Sequence, residues 1–363
     1  MRVLHIIESL GRGGAERIAL QLAEGMQLRG WESQIITISP IDDFPDYPSV
    51  QRSSLLATPE YRWPLCIPLA AAKLRASLQQ HRPDAIEIHS PRAALIYALS
   101  GARLPAIQVL HGHDSAWHAR LDPRGRSSLG LRRWAAAAMR RHVAVSRGLA
   151  RAARMFLRVQ PSAIECVPNG VDTEVFKSEP RLLTSEVRIV VMGRLIAAKR
   201  PELALRAFSS FLKDWPQATL AFVGAGSLRG KLEAAVTKTG LARNVHFLGI
   251  QTDIADILRN AHLLWQFSDG EGMPVVCLEA MAASIPIVAS AVAGNCEVIE
   301  DGVTGWLFPG SNPVAAARIS GELLHAPALY DQMARAARAR AVGRFSLDLT
   351  IDGHMRAASA ACA

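Results

Sequence analysis

Short apolar runs alternate along the whole chain with longer segments in which apolar residues recur at helical spacing. In the first half the predicted strands are Val3–Ile7, Ser33–Ile38, Ala85–His89, Ala106–His111 and His142–Val145. In the second half they are Arg188–Met192, Thr219–Val223, Val245–Leu248, Leu263–Phe267 and Pro286–Ala289. Strands that alternate with helices are typical of parallel sheets covered by helices, so we expect an α/β fold.

The chain has 363 residues, which favours two domains over one. The helical pattern lapses in a polar, proline-containing stretch from Lys177 to Glu186. We therefore predict a Rossmann-like amino-terminal domain over 1–176, a second Rossmann-like domain over 187–343, and a helical tail over 344–363. Ligands of doubly wound folds bind at the carboxyl ends of the strands, so the cleft between the two domains is the expected site.

The composition is that of a globular protein, with half of the residues apolar and a fifth charged. No run approaches the roughly 20 uncharged apolar residues of a membrane-spanning helix. The short apolar run at the amino terminus contains Glu8 and is interpreted as a first strand, not as a signal peptide. The five cysteines follow no metal-ligand or disulfide spacing, which favours reduced thiols in a cytoplasmic protein.

Positive charge is concentrated in the first half of the chain. Residues 1–180 hold 23 Lys and Arg against 16 Asp and Glu, and residues 120–158 hold eleven arginines and one acid, Asp122. Such a segment suits phosphates, an anionic membrane surface or nucleic acid, although a solvated helical surface also explains it. Nucleic acid is disfavoured because no stacking aromatic residues accompany the arginines. A peripheral location at the inner face of the plasma membrane stays open.

Two motifs of the first half follow predicted strands. Gly11–Gly14 joins the first strand to the first helix, where glycine lets a backbone approach a ligand and the helix start attracts anions. Any tight turn can use glycine, so this signal is weak. His111 ends another strand, beside Gly112, and we expect it to reach the cleft, although a lone histidine is more often structural. His113 and Asp114 follow, but no further ligand cluster supports a metal site.

The second half contains a pair of cations after its first predicted strand. Arg194 and Lys199 are five residues apart, and Pro201 begins the next helix. Two cations beside a strand terminus can hold a diphosphate, and they can also stabilise negative charge that builds up on a departing one. The alternative is an exposed loop with two solvated cations.

The strongest motif is the segment from Asp269 to Ala280, DGEGMPVVCLEA. Glycines flank Glu271 on a loop, where its carboxylate can accept hydrogen bonds from sugar hydroxyls. A helix starts near Pro274, and the free amides of Met273 to Val275 can bind a phosphate or sugar oxygen. Glu279 follows inside this apolar helix, where a buried carboxylate needs donors, and a ribose diol supplies two. The alternative is an ordinary helix with one buried acid.

With these residues the sequence resembles the retaining glycosyltransferases of family 4, which have the GT-B fold. Six further features occur in the same order as in that family: GGAER at 13–17, the strand-end His111, VPNGVD at 167–172, VGAG at 223–226, the Glu271-x7-Glu279 spacing, and DGVTG at 301–305. The resemblance implies that Arg194 and Lys199 bind the donor diphosphate and that Glu279 holds the ribose. It also implies that Glu271 and the amides of Met273, Pro274 and Val275 hold the donor sugar, that Gly13 and Gly14 lie under it, and that His111 contacts it near the reacting carbon.

Three positions depart from the family pattern. Ser284 and Arg200 stand where glycine is common, and Asn295-Cys296 stands where an Ile-Pro-like pair is more frequent. None of them touches the expected chemistry.

The resemblance implies sugar transfer from a UDP-sugar or GDP-sugar to an acceptor hydroxyl with retention, with no metal or other cofactor. A lipid-linked glycan in cell-surface polysaccharide or lipopolysaccharide biosynthesis is the expected acceptor, since the basic segment suits a membrane surface. Three alternatives are weighed: a non-catalytic nucleotide-sugar-binding partner protein, a sugar-nucleotide epimerase, and an NAD-dependent oxidoreductase. The oxidoreductase is disfavoured because Gly11 and Gly13 do not complete a GxGxxG turn.

Overall fold

The computed structural model describes residues 1–58, 65–112, 123–183, 185–310 and 312–363, and for residues 123–128 it describes the backbone. These residues form two compact units. The first unit contains Met1–Asn169 and Leu347–Ala363, and the second contains Gly170–Ser346.

The first unit is built on a seven-stranded parallel sheet. Its strands are β1 Arg2–Ile7, β2 Glu32–Thr37, β3 Gln51–Ser54, β4 Ala85–Ile88, β5 Ala106–Leu110, β6 Arg141–Ala144 and β7 Ile164–Cys166, in the order β3-β2-β1-β4-β5-β6-β7. Its first helices are α1 Gly14–Leu28, α2 Ile67–His81, α3 Pro91–Ser100, α4 Pro123–Ala137 and α5 Arg147–Ala152, and a π-helical turn follows at Ala153–Leu157. Because the strands are parallel, strands that follow one another in the chain are joined by crossover connections, as in doubly wound folds.

The second unit contains a six-stranded parallel sheet. Its strands are β8 Arg188–Met192, β9 Thr219–Val223, β10 Val245–Gly249, β11 Leu263–Gln266, β12 Ile287–Ser290 and β13 Trp306–Phe308, in the order β10-β9-β8-β11-β12-β13. Its helices are α6 Pro201–Phe211, α7 Arg229–Lys238, α8 Ile254–Arg259, α9 Val275–Ala282, α10 Ala293–Val298, α11 Pro313–Leu324 and α12 Pro327–Arg344. The last helix of the chain, α13 Leu347–Cys362, belongs to the first unit.

Helices cover both faces of the first sheet. Alternate residues of the central strands, Leu4 and Ile6 among them, pack with α2, α3 and α4 in one core cluster. Ile7 and Ile35 pack with α1 in another cluster, and α13 contacts α1 together with strands β4, β5 and β6. The two-residue period of a strand sends successive side chains to opposite faces, so β1 contributes to both cores.

Several aromatic residues pack together in the otherwise aliphatic core of the second unit. Trp265 of β11 is fully buried, its ring packs edge-on against Phe208 and Phe211, and its indole Nε1 donates a 2.8 Å hydrogen bond to Ser320 Oγ. The helical stripe of α6 therefore faces the sheet as its periodicity predicts.

The predicted strands all occur, with ends that differ by at most one residue, and the α/β fold with two doubly wound sheets is confirmed. The prediction that His89 and His111 are the last residues of their strands is wrong by one residue. Strand β4 ends at Ile88 and β5 ends at Leu110, so both histidines lie on the loops that follow. The edge strands β3, β7 and β13 were not predicted. Among the described residues no helix combines the length and the apolar character needed to cross a lipid bilayer.

We predict that Gly353→Ala destabilises the first unit by about 1–2 kcal/mol, although alanine has the higher helix propensity. A Cβ at Gly353 of α13 would lie 2.5 Å from Cγ1 of the buried Val167, which is too close for two carbon atoms. Urea unfolding of the full chain, followed by amide hydrogen exchange in α13, measures the change.

Gly130→Ala is the matched control. Gly130 lies inside α4 of the same unit, and no atom of the described residues lies within 4 Å of a Cβ placed there, so this change should stabilise the unit by about 0.5–1 kcal/mol. If Gly353→Ala and Gly130→Ala raised the free energy of unfolding equally, α13 would not pack against Val167 as described.

Candidate functional site

The loop after β8 is held by backbone contacts that leave no room for side chains. Gly193 N donates to Val223 O and Leu195 N donates to Ala225 O, each at 2.9 Å. A Cβ at Gly224, which has a φ of +133°, would lie 2.1 Å from Gly193 O. Only glycine fits there, so the loop that carries Arg194 is fixed at the carboxyl end of its strand.

Arg194 and Lys199 lie differently on this loop. Arg194 is exposed, whereas Lys199 is half-buried in a 3₁₀ turn, Ala197–Lys199. Lys199 Nζ donates to Glu271 Oε1 at 2.5 Å, and Gln266 Nε2 donates to the same oxygen at 2.9 Å. The structure thus brings together two motifs that are 72 residues apart in the sequence.

A second close approach fixes the backbone of Glu271. A Cβ at Gly294, in the first turn of α10, would lie 2.5 Å from Glu271 O and 2.9 Å from its Cβ. The Ser268 backbone N–H donates to Ser290 Oγ at 3.1 Å, and Asp269 N donates to Ala198 O at 3.0 Å. Sequence reasoning missed Gly294 and Ser290, because nothing local in the sequence marks a contact between distant loops.

Helix α9 begins directly after this loop. Met273 and Pro274 are buried, Pro274 is the residue before the first turn, and no side chain caps the helix. The first amides of α9, from Val275 onward, therefore lack a side-chain acceptor, and the helix dipole adds positive potential there. Glu279 lies one turn further along and is 2% exposed. This arrangement places the amino-terminal end of α9 between two carboxylates, those of Glu271 and Glu279.

In the first unit the Gly-rich turn leads into α1 as predicted. Helix α1 begins at Gly14, and Gly13 precedes it in an extended conformation with no side-chain cap. A Cβ at Gly13 would lie 2.3 Å from Glu16 Oε2, so a larger residue would displace that carboxylate.

His111 is one end of a chain of buried histidines that was not predicted. Its Nε2 lies 2.9 Å from His89 Nδ1, and His89 Nε2 lies 3.0 Å from His5 Nδ1. His5 Nδ1 is 3.5 Å from Glu87 Oε2, whose carboxylate is also 3.0 Å from Nδ1 of His354 in α13. His5 and Glu87 are register partners on β1 and β4, which explains why they share one face. His113 and Asp114 lie outside the described residues.

Burial governs the protonation of this chain. Desolvation lowers the pKa of His5 to about 4 and that of His111 to about 3, and it lowers the pKa of His89 well below its usual value. Burial raises the pKa of Glu87, but the charge and hydrogen bond of His354 outweigh it, so that the pKa of Glu87 is lowered overall. At neutral pH the Glu87 carboxylate is therefore ionised, and His5, His89 and His111 are neutral.

The stability of the first unit should fall as pH drops from about 6.5 toward 4. The pKa values of His5, His89, His111 and also His142 lie below the unfolded value, so the unfolded state takes up protons first in this window. Each histidine contributes up to about 1.4 kcal/mol per pH unit, and none of this change occurs above the unfolded pKa. Hydrogen exchange in urea at pH 7, 6 and 5 measures it for each unit.

The second unit is the internal comparison, because among its described residues it contains one buried histidine, His262, whose pKa is lowered by burial to about 4. We expect its stability to change less steeply. Equal stability of the first unit at pH 7 and pH 5 would contradict the assignment of neutral buried histidines.

Known sequence families match nearly the whole chain. The profile for Glycosyltransferase Family 4 matches residues 12–175, and the profile for Glycosyl transferases group 1 matches residues 172–340. The meeting point of the two matches lies close to the boundary between the two units.

Curated relatives and a solved structure agree with these matches. The D-inositol 3-phosphate glycosyltransferase of Segniliparus rotundus is 31% identical over 212 residues, which are 54% of this chain and 47% of that protein. The match therefore spans about half the length of that relative. The N-acetyl-alpha-D-glucosaminyl L-malate synthase of Bacillus anthracis is 26% identical over 90% of this chain and 88% of its own.

The crystal structure of Anabaena HepE in complex with UDP and glucose superimposes with a TM-score of 0.84 and 21% identity, covering 99% of both chains. At this identity the likeness concerns the fold. Two doubly wound sheets, one profile match for each half and the shared fold lead to one conclusion: the chain belongs to the family 4 glycosyltransferases, which have the GT-B fold.

Proposed function

We propose that this chain transfers a sugar from a nucleotide-diphosphate sugar to an acceptor hydroxyl with retention at the anomeric carbon. The observation that carries the proposal is the cluster in the second unit, where Lys199 bonds to Glu271 beside the uncapped start of α9 and Glu279 is buried one turn later. In this cluster Lys199 offers a partner for the phosphates, Glu271 and the start of α9 offer partners for the sugar, and Glu279 offers a partner for the ribose.

Arg194 and Lys199 would bind the donor diphosphate. At about 4 Å and an effective dielectric near 20, each contact contributes roughly 4 kcal/mol before desolvation is subtracted. Both contacts strengthen as negative charge builds up on the departing diphosphate, which is the condition for catalysis. Because side chains supply this charge, we propose that the reaction uses no metal or other cofactor.

The remaining predicted site residues would orient the donor. Glu279 would accept hydrogen bonds from the ribose diol, which suits a buried carboxylate. Glu271 and the amides of Met273, Pro274 and Val275 would hold the sugar; since proline has no N–H, its contribution is to place the helix start. In the first unit, Gly13 and Gly14 would lie against the sugar and His111 would contact it near the reacting carbon.

Retention requires that the acceptor arrive on the face from which the diphosphate leaves, or that a carboxylate act as nucleophile as in retaining glycosidases. The carboxylates Glu271 and Glu279 both belong to the proposed donor subsite. We therefore favour same-face transfer, in which a phosphate oxygen of the leaving group takes the acceptor proton while Arg194 and Lys199 stabilise the product charge. The bond from sugar to phosphate oxygen breaks as the bond to the acceptor oxygen forms.

The donor is proposed to be a UDP-sugar or a GDP-sugar. The HepE structure with UDP and glucose supports a nucleotide sugar as the class of ligand. We expect one member of a panel of UDP- and GDP-sugars to raise the melting temperature of the wild type. A ligand at a hundred times its Kd adds about 2.7 kcal/mol. Glu279→Gln should lose most of this shift, as measured by differential scanning calorimetry.

Glu322→Gln is the matched control, because Glu322 is an exposed glutamate of α11 paired with Arg318. It should keep the full shift. Turnover separates the alternatives: an epimerase converts the nucleotide sugar without acceptor, and a non-catalytic binding protein leaves it unchanged with any acceptor. Conversion of the nucleotide sugar without acceptor, or no conversion with any acceptor, would contradict the proposal. Equal ligand-induced shifts in melting temperature for Glu279→Gln and Glu322→Gln would contradict it as well.

The acceptor is proposed to be a lipid-linked glycan reached from an anionic membrane surface, in the assembly of a cell-surface polysaccharide or lipopolysaccharide. Helices α2, α3, α4 and α5 and the π-helical turn contact one another in series, and their sequences contain ten Lys and Arg and no Asp or Glu. Five large apolar residues of this layer are exposed, Leu69, Leu99, Leu131, Trp134 and Met155, and Leu65 is exposed just before α2. Arg120 and Asp122 of the predicted basic segment lie outside the described residues.

Exposed leucine and tryptophan among cations are typical of interfacial membrane anchors. Near an anionic bilayer each Lys or Arg contributes about 1 kcal/mol, so a few cations suffice for reversible attachment. Leu131 and Trp134 are three residues apart on α4 and about half exposed, so both can enter the interface from one face of the helix.

We predict that the protein co-sediments with vesicles that contain phosphatidylglycerol, that 0.5 M salt weakens this binding, and that the double variant Leu131→Ser, Trp134→Ser binds at least tenfold less. Leu28→Ser is the control, because Leu28 is 83% exposed but lies on α1, away from the basic layer. Binding that is indifferent to lipid charge and to salt would contradict the membrane proposal and leave the donor proposal standing.

A further inference from the structure

Four side chains of the buried histidine chain have no part in the proposed function. Glu87, His5, His89 and His354 are each at most 4% exposed, and only His111, at the end of the chain, is a predicted site residue. Burying ionisable groups costs free energy unless each is paired, so their arrangement calls for a physical explanation.

A metal ion is one possible explanation, since ligand atoms of His5, Glu87 and His89 lie within 4.8 Å of one another. The ring geometry argues against it. The His5 and His89 rings are nearly parallel at 27°, with centroids 5.3 Å apart and facing nitrogens 3.0 Å apart, so each nitrogen points straight at the other. A metal at about 2.0–2.1 Å would require both lone pairs to converge on a third point. The geometry is that of a hydrogen bond.

The His89–His111 contact has the same form. The ring centroids are 5.2 Å apart, the facing nitrogens are 2.9 Å apart, and the rings are inclined by 25°. A neutral imidazole has one N–H donor and one acceptor nitrogen, so two consecutive hydrogen bonds among three rings must run in the same direction. Either His5 donates to His89 and His89 to His111, or both bonds are reversed.

Glu87 distinguishes the two directions. An ionised carboxylate only accepts hydrogen bonds, and Glu87 Oε2 lies 3.5 Å from His5 Nδ1, the atom that also faces His89. A proton on His5 Nδ1 is attracted by the carboxylate and donates to His89. In the reverse direction the proton of this bond is on His89 Nε2, which is farther from Glu87 Oε2 at 3.8 Å, and the Nδ1 lone pair of His5 faces the carboxylate at 3.5 Å. That direction also puts an N–H on His5 Nε2, which is buried and has no partner among the described residues.

We infer that Glu87 is a positioning residue that acts through His5 and His89 to fix His111 as the tautomer with its proton on Nδ1. His111 Nδ1 is buried and has no hydrogen-bond partner in the described part of the chain, so its N–H is left without an acceptor there. On the proposed function, its acceptor is an oxygen of the bound nucleotide sugar.

This tautomer restricts the chemistry of His111. Its Nε2 is occupied as the acceptor from His89, and its Nδ1 already carries a proton, so neither nitrogen can take a proton from an acceptor hydroxyl. His111 therefore acts as a hydrogen-bond donor to the ligand and not as a general base. This agrees with same-face transfer, in which the leaving phosphate receives the proton.

Nitrogen-15 NMR of the histidine-labelled full chain tests the inference without any ligand, because two-bond couplings identify the protonated nitrogen of each ring. His262 is a built-in reference for the other tautomer, since its Nδ1 accepts a 3.0 Å bond from the Arg188 amide and its proton must be on Nε2. We expect His111 to be protonated on Nδ1. In Glu87→Gln, whose amide can face His5 with either end, we expect both tautomers of His111.

His354→Gln is the control for a general disturbance of the cluster. It removes the imidazole on the other side of Glu87 but leaves an amide that can still donate to the carboxylate, so Glu87 stays ionised and His111 should stay protonated on Nδ1. Unchanged signals of His142, a buried histidine of β6 outside the cluster, show that the first unit is folded in each variant, and unchanged His262 signals show the same for the second unit. A wild-type His111 protonated on Nε2, or a pure Nδ1 tautomer in Glu87→Gln, would overturn the inference.

A titration with UDP-glucose and GDP-mannose separates this inference from the proposed function. If one of them shifts the His111 Nδ1 proton signal, both stand. If neither shifts it while Glu87→Gln changes the tautomer, the positioning role of Glu87 stands and the proposed ligand contact fails.

Discussion

Close contact between backbones at the carboxyl ends of parallel strands is the constraint on which the candidate donor site depends. Parallel strands end at one edge of the sheet, so the loops that follow them meet there. Gly224 touches the backbone of Gly193, and Gly294 touches that of Glu271, at distances that exclude any Cβ. With the loops fixed in this way, Lys199 reaches Glu271 at 2.5 Å, and the start of α9 lies beside both. Glycines, which have no side chain, thus fix the positions of the side chains that can take part in the chemistry.

Two departures from the family pattern have a backbone explanation. Ser284 and Arg200 stand where glycine is common, and both have positive φ, 55° and 44° respectively. The left-handed conformation costs a non-glycine residue roughly 1–2 kcal/mol. Each side chain provides partial compensation: Ser284 Oγ donates to Ser178 O at 2.8 Å, and Arg200 Nε donates to Asp269 Oδ1 at 2.6 Å. The departures therefore concern how two turns are stabilised.

The fold and the second-unit motifs could be predicted because their signals are local. A buried strand appears in the sequence as a short apolar run, and ten of the strands are predicted from such runs. The start of α9 is marked by glycine and proline, which makes the segment from Asp269 to Ala280 recognisable. Strand β3, Gln-Arg-Ser-Ser, is polar and largely exposed at the edge of its sheet, and β7 and β13 have three residues each. Such strands form because a neighbouring strand offers unpaired backbone groups, which is a tertiary property.

The histidine chain was beyond prediction for a related reason. Its members come from β1, β4, two loops and the last helix, and no spacing connects His5 with Glu87 until the register of β1 and β4 places them side by side. His354 adds the last link, because α13 returns to the first unit and holds the Glu87 carboxylate from the other side. A buried carboxylate stays ionised only if its neighbours donate to it. Helix α13 thus helps to maintain the charge on Glu87 that, in the inference above, sets the direction of the hydrogen bonds leading to His111, a residue far from α13 in the sequence.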